Sequence, residues 1–494
     1  MRIQKNIYIN LTCNIFLMIL GIIVPRIFIT SYGSDVNGLL STLTQIFTYM
    51  SLMEAGIGQA AKNAMYEPMT KQDFDGISYY ASIAARYYKK ICLYYILGVI
   101  ILAVVCPFVL RTNIDQRTIF LVIIIEGASN VVTYYFNSFY TYFLSADGRS
   151  YINNEINVFV TLLTYAAKII LALAGINIVF LQVAYFCIRI VLVFVYRHYF
   201  RKNYSWLDLK RAPKNEKLKD RGSYAIEAVS WLAFSSTDMI VLSTFVSTTL
   251  SSVYAVYTMI FNCLNTLINS VYTGVNYKLS QTYHENMERY KDMHNVYTSV
   301  FFGGMTILLC TAFILILPFM TLYVGHIPDA QYVNASLPVL FCLIQLFSWS
   351  RYVMGNLAGV AGYQKQQGNV SIIEAAINIV LSVILVQFYG IVGVLVASVV
   401  ALPIKIVYLT WLCEVKILNR SPRRYLCILG VNFVYFAFVV FIKQFFELSI
   451  SNYGYFIIYG FVTFAICAVI GVAINVAVNP SCIRIVKILR SKEE

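Results

Sequence analysis

The sequence is short of charge. Aspartate, glutamate, lysine and arginine make up 12% of its 494 residues, about half of the roughly 25% usual in a soluble domain, and this excludes a soluble globular protein. Histidine is scarcer still. The four present, His198, His284, His294 and His326, are all expected in loops and none stands at metal-ligating spacing, so no metal site is expected. No G-x-x-x-x-G-K-[ST] segment occurs, which excludes an ATPase within the chain, and nothing resembles a nucleophile elbow or a zinc-protease helix motif. The 11 cysteines, among them Cys13, Cys106, Cys187, Cys310, Cys342 and Cys467, fall inside or at the edges of apolar runs without paired spacing. They read as small core residues and exclude a disulfide framework. Long polar stretches are missing too: the longest, Arg197 to Arg221, has the length of a loop and not of a folding unit. The loops Tyr323 to Val333 and Phe446 to Tyr453 leave no room for an extramembrane catalytic domain, so an enzyme is not expected.

Apolar sequence fills the rest. Hydrophobic residues make up 59% of the chain, and runs near the roughly 20 residues that cross a bilayer recur from end to end. The fold class is an all-α, polytopic membrane protein with about fourteen spans. Their centres fall near Leu20, Phe47, Gly98, Val131, Leu162, Ile188, Leu242, Ile260, Leu308, Val339, Leu381, Val396, Ala437 and Phe464. Spans 5 and 6 are parted only around Gly175, and spans 11 and 12 only around Gly390. The first segment has a basic tip before its apolar stretch, but it is too long for a signal peptide and lacks a small-residue cleavage site, so it reads as span 1.

Net charge is +14. In a soluble protein this would suggest nucleic acid; here the basic residues sit in short segments between spans, where they report topology. Placing the N-terminus in the cytoplasm puts Lys89, Lys90, the stretch Arg201 to Arg221, Lys416, Arg420, Arg423 and Arg424 inside. Only Arg111, Arg117 and Lys443 then fall outside. Arg484, Lys487, Arg490 and Lys492 place the C-terminus inside as well, and an even span number follows.

The two halves are alike. Ala146 to Ile190 and Ala361 to Ile406 share one order: a loop glycine with a cation, an apolar helix, a glycine turn, and a helix ending in a cation. Gly148 matches Gly362, Gly175 matches Gly390 and Arg189 matches Lys405. Such a repeat, related by an axis along the membrane normal, is a transporter plan. The expected organisation is a six-helix lobe over 1–200, a basic cytoplasmic loop over 201–222, a second six-helix lobe over 223–414, and two extra helices with a basic tail over 415–494.

Ionisable groups within spans cost on the order of 2.5 to 3.5 kcal/mol and face protein interiors or wet cavities. The cations Arg26, Lys168, Arg189 and Lys405 are the candidates for holding substrate, and the acids Asp238, Glu126 and Glu54 for coupling an ion. Arg26 follows Pro25, which frees a backbone carbonyl and can kink span 1. Pro403 stands near Lys405 in the matching half, and Ser235, Ser236 and Thr237 flank Asp238 as hydrogen-bond donors. Lys62, Glu227, Arg351 and Glu374 lie near span ends, where two readings stay open: reaching the headgroups, or facing the protein interior like the others. An excess of cations at depth suits phosphates or acidic sugars, arginine offering a planar fork to phosphate oxygens.

Four segments carry a family resemblance. They are YGSDVNGLLSTLTQIFTYMSLMEAGIGQAAKNAM at spans 1 to 2, FLSADGRS after span 4, SSTDMIVLSTFVSTTLSSVYAVYTMI at spans 7 to 8, and the AGYQKQ loop after span 10. Together they resemble, over essentially the whole chain, the bacterial polysaccharide or oligosaccharide flippases (Wzx-type) of the multidrug/oligosaccharidyl-lipid/polysaccharide (MOP) exporter superfamily. The resemblance implies two six-helix lobes in a V around a central cavity, two appended helices, and alternating access. It implies as cargo an undecaprenyl-diphosphate-linked oligosaccharide, moved from the cytoplasmic to the outer leaflet of the bacterial inner membrane for O-antigen, capsule or exopolysaccharide synthesis. It also implies membrane lipid, a polysaccharide polymerase and a chain-length regulator as partners, no nucleic acid, and no cofactor beyond a proton or sodium gradient or the membrane potential. Arg26 matches the diphosphate-binding arginines of related peptidoglycan-precursor flippases by its place before the YG turn. Glu54 departs from the family pattern, which has a shorter acid there. The alternatives are a cation-coupled multidrug exporter of the same superfamily and, from a different class, a membrane polymerase or ligase for lipid-linked sugars.

Overall fold

Asparagine and aspartate mark where the helices begin. In the computed structural model, which describes residues 18–54, 57–133, 138–210, 236–446 and 448–484, the Asp73 carboxylate accepts from Asp75 N and Gly76 N at 3.2 and 2.9 Å. Asp115 accepts from Arg117 N and Thr118 N, and Asn177 from Val179 N. Asn286 and Asn452 do the same farther along. A helix leaves its first backbone N–H groups without internal partners, and in a bilayer such groups cost most when nothing meets them.

The helices are α1 (Met18–Tyr32), α2 (Ser34–Met50), α3 (Ile57–Thr70), α4 (Phe74–Val109), α5 (Gln116–Val132), α6 (Phe139–Ala146), α7 (Ser150–Leu173), α8 (Ile178–Asn203) and α9 (236–245). They continue with α10 (Thr248–Glu285), α11 (Met287–Val324), α12 (Ser336–Ser350), α13 (Tyr352–Val360), α14 (Gln364–Thr410), α15 (Arg423–Lys443) and α16 (Tyr453–Val478). Gly390, at φ 54°, divides α14 in two. With α2–α3, α5–α6 and α12–α13 each taken as one interrupted segment, the described helices make the expected fourteen segments. Glu227, Ser235, the loop cations of 211–221 and the tail residues Lys487, Arg490 and Lys492 lie outside the described residues.

The repeat is visible in the backbone. Gly148, Gly175, Gly362 and Gly390 all take positive φ, at 71°, 68°, 83° and 54°, a region that residues with a Cβ rarely adopt. Three of these turns share one hydrogen-bond pattern. After α6, Asp147 N donates to Phe143 O, Gly148 N to Ser145 O and Arg149 N to Leu144 O; after α13, Ala361, Gly362 and Tyr363 donate to Leu357, Gly359 and Ala358. After α7, Ala174, Gly175 and Ile176 donate to Ile170, Ala172 and Leu171. This wrapped helix end satisfies the last carbonyls while the glycine reverses the chain.

The chain forms two compact units, Met1–Ala255 and Val256–Glu494. The lobe boundary expected near residue 222 falls outside the described residues. In the first unit, α4 has 36 residues, about 54 Å at the helical rise, longer than the roughly 30 Å hydrocarbon layer. One end packs against α3, α6 and α8 through Tyr88, Phe143, Tyr196 and Phe200. The other packs against α1, α2 and α5 through Phe28, Leu43, Tyr95 and Ile123. The α6 turn is tied to the end of α8 by the Tyr204 hydroxyl, which donates to Asp147 Oδ2 at 2.5 Å. Burial and that carboxylate both push the Tyr204 pKa up, so it remains a donor. A polar seam joins α2 to α9 and the start of α10: Asn37 donates to Ser252 Oγ at 2.7 Å, Thr248 and Thr249 donate to Asp35, and Thr42 meets Ser243. Gly38 allows the approach, since a Cβ there would lie 1.7 Å from Thr248 O.

In the second unit α11 is the most buried helix and packs on α12, α15 and α16. Amides bind the appended pair: Asn432 and Asn475 exchange hydrogen bonds at 3.0 and 3.1 Å between α15 and α16, and Asn479, just after α16, donates to Asn295 O and Ser299 Oγ of α11. The histidine expectation needs correction. His198, His284 and His294 lie in helices and only His326 in a turn, because α8, α10 and α11 continue past their apolar stretches. His294 is buried, with Arg420 Nη2 at 3.2 Å from its Nδ1, and Arg420 also clasps the buried Glu414 at 2.5 and 2.8 Å.

Candidate functional site

Three helices of the first unit bring one acid and two bases to the same depth. Glu126 stands ten residues into α5 and Arg189 eleven into α8, about 15 Å from the ends marked by the Asp115 and Asn177 caps. Lys168 lies five residues before the end of α7. Because a helical Cβ tilts toward the helix N-terminus, its long stem runs back toward the middle of the unit, where α8 packs against both α5 and α7. The charges meet around Tyr185. Lys168 Nζ is 4.9 Å from the Tyr185 ring centre and 5.8 Å from that of Phe28, and the Arg189 guanidinium is 5.1 Å from the Tyr185 ring. Arg189 Nε also donates to the Tyr185 hydroxyl at 2.9 Å.

Glu126 is in electrostatic reach of Lys168, Arg189 and Tyr185, yet its Oε2 is buried without a hydrogen-bond partner. The cluster therefore holds a net positive charge in which the cations are met chiefly by ring faces. Two like charges about 8 Å apart repel by about 2 kcal/mol at an effective dielectric constant near 20. Desolvated cation–π contacts, at about 2 kcal/mol each, offset that repulsion without neutralising the cations. Such a site can accept an anion.

The remaining candidates stand elsewhere. Arg26 is half-buried on α1, which runs on as a helix through Pro25, and the Thr30 hydroxyl donates to the Arg26 carbonyl at 3.0 Å; the α1 residue that meets Lys168 is Phe28. Glu54 closes the short 3-10 turn after α2 and bonds Ser138, just before α6. It thus sits where the α2–α3 and α5–α6 segments are both interrupted, and its Oε2 is buried without a partner. Asp238 is buried on α9, and its donor is the Tyr254 hydroxyl at 3.1 Å; Thr237, expected beside it as a donor, meets Tyr49 instead.

Lys405 belongs to a second cluster, in the second unit. It donates to Ser371 Oγ at 2.7 Å, and its charge acts on Glu374. Glu374 is clasped by Arg351 Nη1 at 2.5 Å, with the two side chains 3% and 10% exposed. Of the two readings open for Arg351 and Glu374, the interior one holds: each supplies the other's counter-charge within the unit. Each of the two clusters thus holds one carboxylate and two cations, closed by direct bonds in the second unit and open in the first. Tyr185 and Phe28 were not among the expected site residues. The i, i+4 spacing of Tyr185 and Arg189 was the available signal, since it stacks the two on one helix face. Among the described residues no group of three histidine, cysteine or acidic side chains is placed to hold a metal.

The architecture is all-α, with eight described helices long and apolar enough to cross a membrane. Over 95% of its length the chain matches 99% of the lipid II flippase MurJ in an inward closed conformation, at a TM-score of 0.74 and 15% identity. It matches an inward-facing multidrug resistance MATE family transporter of the MOP superfamily at 0.66, over 84% of this chain and 95% of that one, at 14% identity. A MOP superfamily transporter from Pyrococcus furiosus Vc1 matches at 0.58, over 86% and 96%, also at 14% identity. No family model and no curated protein matches the sequence. At such identities the likeness is one of fold, that of MOP-superfamily transporters and flippases.

Proposed function

We propose that the chain is a flippase that moves undecaprenyl-diphosphate-linked oligosaccharide units from the cytoplasmic to the outer leaflet of a bacterial inner membrane, for synthesis of a surface polysaccharide. The observation that carries this reading is the pair of cations, Lys168 and Arg189, flanking Tyr185 deep in the first unit. A diphosphate is the part of such a cargo that two half-buried cations recognise, and an aromatic face suits the adjoining sugar. Likeness to a lipid II flippase over nearly the whole chain supports the same class of cargo. Arg26 is the third cation in this reading, while Lys405, tied to Ser371 and Glu374, has a structural part. Both termini are cytoplasmic, and lobes 1–200 and 223–414 rock in alternating access. An inside-negative potential favours outward movement of the diphosphate charges by about 2.3 kcal/mol per charge per 100 mV. Glu54 and Asp238, a half-buried and a buried acid of the first unit, are the groups through which a proton or sodium ion resets the carrier.

Cells lacking the protein should accumulate the complete repeat unit on its lipid, facing the cytoplasm, and lose surface glycan. Restoring Arg189→Ala at normal expression should leave that defect in place. Normal surface glycan with the variant refutes the assigned role of Arg189, and lipid-linked units still reaching the outer leaflet refute the flippase. A second reading, a cation-coupled multidrug exporter, rests on the likeness to MATE transporters and on those acids. Unchanged glycan with greater drug sensitivity in cells lacking the protein would favour it.

A further inference from the structure

The two charge clusters differ in one respect that bears on cargo. In the second unit the carboxylate is spent on Arg351 at 2.5 Å, and Lys405 is tied to Ser371. In the first unit Lys168 and Arg189 lean on the faces of Phe28 and Tyr185, and Glu126 keeps an oxygen without a partner although both cations are in electrostatic reach. A buried carboxylate that is near two cations yet incompletely bonded is a weak, exchangeable counter-ion, since good geometry is what holds a buried ion pair together. The cations carry donors enough for more than one carboxylate, an ammonium having three and a guanidinium five.

We propose that Glu126 is the site's own counter-anion: it competes with the cargo's phosphates for Lys168 and Arg189, and so restricts the site to headgroups bearing at least two negative charges. This rests on the proposed function, because it assumes an anionic lipid-linked cargo. A monoanion such as a carboxylated lipid brings no more charge than Glu126 already does and does not displace it from the cations. A diphosphate outcompetes Glu126, and after translocation Glu126 retakes the cations and helps expel it. The residue thereby trades affinity for release, as binding energy shared with the unloaded state must.

The test uses the full chain in phosphatidylcholine nanodiscs, with undecaprenyl diphosphate as the dianionic probe and oleic acid as the monoanion. Titrations are followed by native mass spectrometry, and the variants are E126Q, which keeps the shape, and R189Q. Expected are binding of the diphosphate by the wild type, its loss in R189Q, roughly tenfold tighter binding in E126Q, and oleic acid retained by E126Q but not by the wild type. Vesicle transport by E126Q should be slower at saturating cargo, with a lower KM. Equal or weaker binding of the diphosphate by E126Q, with wild-type binding intact, overturns the role of Glu126 and leaves the flippase reading standing. Failure of the wild type to bind the diphosphate overturns both. A lower unfolding temperature of E126Q with both affinities unchanged assigns Glu126 a structural part and also overturns the proposal.

Discussion

Glu374 and Arg351 form the most enclosed ion pair among the described residues, and removing either side should cost unequal amounts. At an effective dielectric constant near 20, two charges about 4 Å apart attract by about 4 kcal/mol, and a partner some 7 Å away adds about 2 kcal/mol. Glu374 has both kinds: Arg351 at 2.5 Å and Lys405 beyond direct bonding, held by Ser371. Replacing Arg351 with alanine leaves Glu374 facing Lys405, so one pair of opposite charges survives. Replacing Glu374 with alanine strands two cations and exposes their mutual repulsion. Breaking a buried pair from one side generally costs about 3 to 5 kcal/mol. Glu374→Ala should fall at the upper end of that range, and Arg351→Ala about 2 kcal/mol below it. Changing both to leucine and methionine removes charge from both sides and should recover most of the loss.

The assay is thermal unfolding in detergent with a thiol-reactive fluorophore, which reports the buried Cys310, Cys342 and Cys413 as they become accessible. The expected order of unfolding temperature is wild type, then the double variant, then Arg351→Ala, then Glu374→Ala. If Arg351→Ala proves as damaging as Glu374→Ala, Lys405 is not acting as a second counter-charge and the cluster must be described as a simple pair. If the double variant is worse than both, packing and not charge sets the cost.

Gly38→Ala should destabilise the first unit by more than about 3 kcal/mol, because its Cβ would meet the Thr248 carbonyl of the seam, while Gly21→Ala, with nothing within 4 Å, should be neutral by the same unfolding assay. Ala at Gly175 or Gly362 must hold positive φ, which should cost about 1 to 2 kcal/mol at each site, and circular dichroism should show the helix content unchanged. A double-mutant cycle on Asn432 and Asn475 should give a coupling between about 0.6 and 1.7 kcal/mol, the range for hydrogen bonds between transmembrane helices. A coupling near zero would mean that these two amides add nothing to the packing of α15 on α16.

Much of the architecture was legible because a bilayer writes it into local sequence. Span length, the glycines that reverse the chain at Gly148, Gly175, Gly362 and Gly390, and the matched order of the two halves all depend on neighbours within a few residues. The grouping of charges does not. In a soluble protein an apolar stripe tells which way each helix is turned; here α16 is apolar on nearly every side, and helices in lipid gain nothing from burying one greasy face over another. Each residue turns a helix by about 100°, so the sequence showed that Glu126, Lys168 and Arg189 lie at depth but left open whether they face one another. The same blindness left open whether Arg351 and Glu374 reach the headgroups or each other, and they meet between the end of α12 and α14.

The repeat adds a constraint that neither half supplies alone. The turns at Gly148 and Gly362 use the same three backbone bonds, as expected where only chain reversal is at stake. The matched cations Arg189 and Lys405 do not keep the same company: one stacks on Tyr185 near an acid from α5, while the other bonds Ser371 near an acid from its own long helix. A cation in hydrocarbon must be met by something, and ring faces or a clasped carboxylate both suffice for stability. If stability were the whole demand, nothing would favour leaving the first cluster open, with an acid oxygen unbonded and two cations on rings. The open arrangement is the one that leaves the cations able to take up another anion, and on that ground we place the proposed cargo site in the first unit.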